Sequence, residues 1–181
     1  MHSGDITSPA DRLRLLQDEY LTPRAGHRAE RTATTTEPST PIRLAVFDHI
    51  RASVTEAVET VVANREGNTA PTQPPNDPRL VYRWMVEETA DLDASRQQVI
   101  DSLMYRQGLQ HAIVMGDTDI IRRHPCPSCV TWGLVWDDDR EQVVCPNRYC
   151  ADDYGQPTTW TLAQIAEDHI ARKNHRAARA T

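Results

Sequence analysis

Four cysteines stand in two short pairs, Cys126-Pro-Ser-Cys129 and Cys145-Pro-Asn-Arg-Tyr-Cys150, with fifteen residues between them. Each pair can form a knuckle that offers two thiolates to one ion, and Val130 to Val144 is long enough for a hairpin that brings the pairs together. Four thiolates set tetrahedrally describe a structural zinc ribbon, so zinc is the expected cofactor, with Cys126, Cys129, Cys145 and Cys150 as its ligands. That set leaves no open coordination position, which makes the metal's expected work folding rather than catalysis. Paired disulfides would need an oxidising compartment, and a redox Cys126-x-x-Cys129 would need a thioredoxin-like context that is not apparent. His124, two residues before the first ligand, is read as an exposed neighbour in preference to a hydrogen-bond donor to the site.

A second kind of chemistry is electrostatic. Beyond Asp168 the chain carries Arg172, Lys173, Arg176 and Arg179 with no opposing charge. Arg172, Arg176 and Arg179 fall on one helical face and could follow a phosphate backbone; a solvated helix end complementing its dipole is an equal alternative. Arg148 and Tyr149, in the second knuckle, could assist at unpaired bases. Trp132, Leu134 and Trp136 would share one face of a strand. That face is read as core beneath Leu162 and Ile165, in preference to a stacking platform for bases.

Ser8-Pro9-Ala10-Asp11 opens a short helix with Leu13, Leu16 and Tyr20 at helical spacing. Thr22 to Pro41 is a polar linker. A second helix starts at Thr40-Pro41 and places Leu44, Phe47, Ile50, Val54, Val58 and Val61 on one stripe. A Pro-rich linker follows at 68–78. Asp77-Pro78 caps a third helix through Trp84 and Met85, and a fourth runs from about Asp93 to Arg106 with Gly108 as its cap. Leu109 to Met115 is ambiguous, with helix favoured. In the C-terminal part Thr131 to Trp136 and Glu141 to Val144 read as a hairpin about Asp137-Asp138-Asp139, and Thr158 to Trp160 as a third strand. Thr161 and Gln164 form a capping box for a last helix striped by Leu162, Ile165, Ala166, His169 and Ile170.

The expected fold is therefore α+β: a small helical N-terminal bundle followed by a four-cysteine zinc ribbon with a C-terminal helix. Three regions are expected: 1–39, a short helix and flexible linker; 40–116, helical; and 117–181, the ribbon with its basic helix. The 181 residues are 39% hydrophobic with twelve prolines, which suits a modest core broken by linkers, and the net charge of −6 excludes a surface coated for nucleic acid. No apolar run long enough for a membrane span occurs. No Gly-rich phosphate loop, G-x-S-x-G or H-E-x-x-H motif supports an enzyme. With no leader pattern in Met1 to Thr7, a cytoplasmic setting is expected.

Read together, Arg79-Leu80-Val81-Tyr82-Arg83-Trp84, the two cysteine knuckles and Trp160-Thr161-Leu162 resemble small zinc-ribbon proteins of actinobacterial phages and mobile elements. The likeness spans roughly Leu80 to Ile170, and some such proteins are labelled helix-turn-helix DNA-binding. The resemblance implies a non-enzymatic accessory or regulatory protein with DNA or RNA as partner. A protein-interaction adaptor with a purely structural zinc site is the alternative, and the helical half could serve as a homodimer seam. Only eleven residues follow Ile170, too few for the turn and recognition helix of a complete helix-turn-helix there.

Overall fold

The computed structural model describes residues 8–20, 40–65 and 70–180. The first linker and the opening heptapeptide lie outside them. Among the described residues, five α-helices and one small sheet are arranged as two cores that share a helix.

Helix α1 (Pro9–Tyr20) starts with a reciprocal cap: Asp11 N–H donates to Ser8 Oγ and Ser8 N–H to Asp11 Oδ2, each 3.2 Å. Its inner face buries Leu13 and Leu16. Helix α2 (Thr40–Asn64) buries Val46, Ile50, Ser53, Ala57 and Val61, a row at i, i+4, i+7, i+11 and i+15. The expected stripe is thus rotated: Leu44 and Phe47 remain 57% and 48% exposed. Small Ser53 and Ala57 let α2 approach its neighbours, and larger side chains in that row would hold it away.

The Pro-rich segment leads to Asp77, whose carboxylate accepts from Arg79 N–H and caps a 3₁₀ turn (Pro78–Leu80) that continues into α3 (Val81–Glu88). Helix α3 buries Val81, Tyr82, Trp84 and Met85. Trp84 Nε1 donates to Thr72 Oγ1 at 3.0 Å and ties the segment to the helix. Helix α4 (Ala94–Val114) starts at Asp93, which accepts from the Ser95 and Arg96 amides. It does not stop at Gly108. The helix runs on because Gly108 faces α1, where an added Cβ would lie 3.1 Å from Pro9 Cγ. The glycine is there for close approach, and Leu109 to Val114 are helical.

α4 joins the two cores. Its first half gives Ile100 and Leu103 to the helical core; its second half gives Leu109 and Ala112 to the core beneath the cysteines. A 3₁₀ turn (Thr118–Arg123) buries Ile120 and Ile121 and delivers the chain to the first knuckle. Strands β1 (Val135–Asp137), β2 (Gln142–Val144) and β3 (Thr159–Trp160) form an antiparallel sheet in that order, with Trp136 opposite Val143 and Val143 opposite Trp160. Helix α5 (Leu162–Ala180) opens on the expected box: Gln164 N–H donates to Thr161 Oγ1 and Thr161 N–H to Gln164 Oε1. It buries Leu162, Ile165, Ala166 and Ile170, packs along α4, places Leu162 and Ile165 in one core with Leu134 and Val143, and continues unbroken. Among the described residues no helix is long and apolar enough to cross a membrane.

Candidate metal centre

Backbone turns bring the four thiols to one point. In the first knuckle Cys126 N–H donates to Thr131 O at 2.8 Å and Val130 N–H to Cys126 O at 2.9 Å. In the second, Cys150 N–H donates to Asn147 O at 2.8 Å, and Thr158 clamps both ends by accepting from Cys145 N–H and donating to Cys150 O. Thus Thr158, the residue before β3, holds the second knuckle, and the first is closed by its own backbone bonds between Cys126, Val130 and Thr131.

The ligand atoms of Cys126, Cys129, Cys145 and Cys150 all lie within 4.8 Å of one another. Cys126 Sγ is 3.8 Å from Cys150 Sγ, and Cys129 Sγ is 3.6 Å from Cys145 Sγ. A disulfide would bring sulfurs to about 2.05 Å, and all four cysteines are free. A tetrahedron with metal–sulfur bonds of about 2.3 Å has sulfur–sulfur edges near 3.8 Å, so the donor set fits one such ion. The cluster is embedded: Cys126, Cys145 and Cys150 are buried in one core with Leu134, Val143, Leu162 and Ile165.

The surroundings already separate the thiols. Thr131 is the main cause that lowers the Cys129 pKa, with Asn147 assisting from 3.6 Å. Burial is the main cause that raises Cys145, and the neighbouring thiols add to it. Four thiolates this close repel one another, and a divalent cation at their centre removes that repulsion.

His124 is not the exposed neighbour expected from the sequence; it is 3% exposed. Its Nδ1 faces the Ile120 and Ile121 carbonyls at 3.1 and 3.2 Å, so Nδ1 carries the proton and Nε2 accepts from Tyr105 Oη at 2.8 Å. Both nitrogens are spent on the scaffold. The Tyr105 ring in turn stacks on His169, centroids 4.0 Å apart.

Trp136 packs on the core around the cysteines as expected, and Trp160 joins it there, but Trp132 does not and is 63% exposed. The strand alternation fails because Val130 and Gly133 both have positive φ, 62° and 93°. The chain turns on either side of Trp132, leaving Leu134 inside and the indole outside. Around it, Arg123, Pro125, His169, Arg172, Lys173 and Arg176 line a recess of about 280 Å³. Arg172 Nε also pairs with Asp168 at 2.6 Å. Among the described residues Arg123, Lys173 and Arg176 make no ion pair. Arg179 lies beyond the recess on α5, and Arg148 stacks instead over its neighbour Tyr149, 4.6 Å from the ring centroid. Asp137 to Asp139 and Asp152-Asp153 do not line the recess. Of its walls, Arg123 and His169 carried no sequence signal toward this role; only the turn imposed by Gly133 hinted at the exposure of Trp132.

A further polar assembly inside the helical core was not legible. Tyr82 Oη donates to Gln107 Oε1 at 2.7 Å, so its oxygen accepts from His111 Nε2 at 2.7 Å; His111 Nδ1 then accepts from His49 Nε2 at 2.7 Å. Gln107 Nε2 donates to Ser53 O and to Glu56, which also holds Arg106. Every buried member is satisfied with both imidazoles neutral. The arrangement joins α2, α3 and α4 and reads as structural. Its one signal was Gln107 and His111, four apart on the inner face of α4.

Comparison with family models, curated proteins and solved structures finds no match.

Proposed function

We propose that this is a non-enzymatic zinc-ribbon protein that binds nucleic acid. Zinc in the four-thiolate cluster organises the ribbon, and the ribbon presents α5 to a phosphate backbone. The observation that carries this reading is the recess between the first knuckle and α5, where four cationic side chains converge on a protein of negative net charge. Convergent Arg and Lys groups with few acidic partners suit phosphate oxygens. A metal held by four thiolates has no vacant position for a substrate, which favours a folding role. A place among phage or mobile-element accessory or regulatory proteins rests on the resemblance alone.

Binding of the zinc-loaded chain to duplex and single-stranded DNA and RNA across a salt series tests the reading. If Arg123, Arg172, Lys173 and Arg176 each contact a phosphate, log K falls with log salt at a slope of roughly −3 to −4. Replacing Arg172, Lys173, Arg176 and Arg179 together with Ala abolishes binding without loss of zinc. Absence of binding at low salt would instead favour a ribbon that docks on protein.

A further inference from the structure

Trp132 is the one large aromatic ring set within the cationic recess, and its position is built rather than incidental. Its backbone pairs with Pro125 as an isolated antiparallel bridge, and the Cys126–Thr131 hydrogen bond closes the same loop. Val130, a β-branched residue in the left-handed region at φ 62°, and Gly133 at φ 93° bracket the indole and turn it outward. Strain in a residue of this type persists only where the surrounding structure over-determines it; here the two knuckle hydrogen bonds do so. On the opposite wall His169, Arg172, Lys173 and Arg176 follow one another at i, i+3, i+4 and i+7 along one face of α5. His169 is anchored by its stack on Tyr105, so that wall is fixed as well.

We infer that this recess binds single-stranded nucleic acid, with an unpaired base stacked on the Trp132 indole while Arg123, Lys173 and Arg176 hold the flanking phosphates. The inference rests on the nucleic-acid reading above and specifies its substrate class. Bases of a duplex have their faces occupied by their neighbours, so an exposed indole beside cations has a partner only where bases are unpaired. Aromatic platforms inside positive grooves bind single strands with little sequence preference because every base has a π-face. The recess, about 280 Å³ and open, suits one ring and its phosphates rather than an enclosed small ligand. The position of Trp132 three residues beyond Cys129 makes the platform part of the metal knuckle. Loss of the metal should therefore loosen the ring as well as the fold.

The test is fluorescence anisotropy of the zinc-loaded full chain with oligothymidylate, oligouridylate and a mixed-sequence duplex of equal length. The parent is expected to bind the single strands more tightly than the duplex. Trp132→Ala should weaken single-strand binding by about 5- to 150-fold, the range for loss of one stacked base, with the salt slope, duplex binding and zinc content unchanged. Trp132→Phe should retain most of the affinity. Preference for the thymidylate or the uridylate strand assigns the natural ligand to DNA or RNA, and either fits. The inference is overturned if Trp132→Ala binds single strands as the parent does, or loses single strands and duplex equally. Should Lys173→Ala/Arg176→Ala still weaken binding in that case, the broader reading survives without the platform. A parent that binds none of the probes at low salt removes both.

Discussion

At the scale of single residues the chain accepts local strain and local desolvation in return for fixed geometry. Val130 is the clearest strain: an L-residue in the left-handed region gives up about 1–2 kcal/mol, and this one is 53% exposed, so it recovers little by burial. Val130→Gly removes the clash while adding about 0.5–1 kcal/mol of unfolded-state entropy. The expected result is a modest gain, up to about 1 kcal/mol, read as a small rise in midpoint on thermal unfolding of the metal-loaded protein. A fall in midpoint would mean that the Val130 side chain stabilises the knuckle in a way its exposure does not suggest. His111 shows desolvation. Burial lowers its pKa from 6.5 to about 3, with His49 as a lesser cause. The unfolded imidazole therefore takes up a proton near pH 6.5 and the folded one only near pH 3. Between these values the unfolded chain binds more protons, so the contribution of His111 is complete above about pH 6.5 and is lost as pH falls toward 3. Denaturant unfolding at pH 7.5 and pH 5 checks this. His111→Gln should show a shallower loss than the parent, since any acid release of metal is common to both.

Among the elements, α4 decides the architecture, and Gly108 decides how closely α1 can lie on it. Gly108→Val is expected to destabilise by about 1–3 kcal/mol, the usual range for overpacking. A double-mutant cycle with Pro9→Gly should recover part of that loss, and additivity would show that the two helices do not meet at this point. The sequence showed this helix but not its end, because glycine at the close of an apolar run is the ordinary signature of a cap and the proline it makes room for is ninety-nine positions away (108 − 9). What was legible was local. Ligand spacing placed the four thiols, and Ser8–Asp11, Asp93 and Thr161–Gln164 marked helix starts because a cap is satisfied within a few residues. What was illegible depended on neighbours distant in sequence. α2 turns its small Ser53 and Ala57 inward and leaves Phe47 exposed, which no count of apolar residues foretells. Trp132 left the expected strand face because of backbone conformations at Val130 and Gly133, and pattern alone assigned the ring to the core. The imidazole chain through His49 and His111 required three helices to be placed first.

For the whole molecule, the two cores differ in what holds them. The helical core, from Leu13 to Leu103, is apolar and contains the satisfied Tyr82–His111–His49 chain. The second core has three of the four cysteines in its interior and only short strands around them. Without a metal its centre is a set of crowded thiols; with one, a structural site of this kind contributes about 10–16 kcal/mol of apparent binding energy. That is large beside the few kcal/mol a small apolar core supplies. Chelation should therefore dissolve the sheet, both knuckles and the packing of α5, and leave α1, α2, α3 and α4 as far as His111 folded. Far-UV circular dichroism is expected to fall only in part, whereas the near-UV signals of Trp136 and Trp160 should vanish and that of Trp84 should persist. Cys145→Ser should give the same state without a chelator, and a remaining cooperative transition in urea should report the helical core alone. Loss of all helix on chelation would mean that α4 transmits the collapse and the two cores form one folding unit. An unchanged spectrum would mean that the thiol cluster holds its shape without an ion, and the metal would then have no part in the fold.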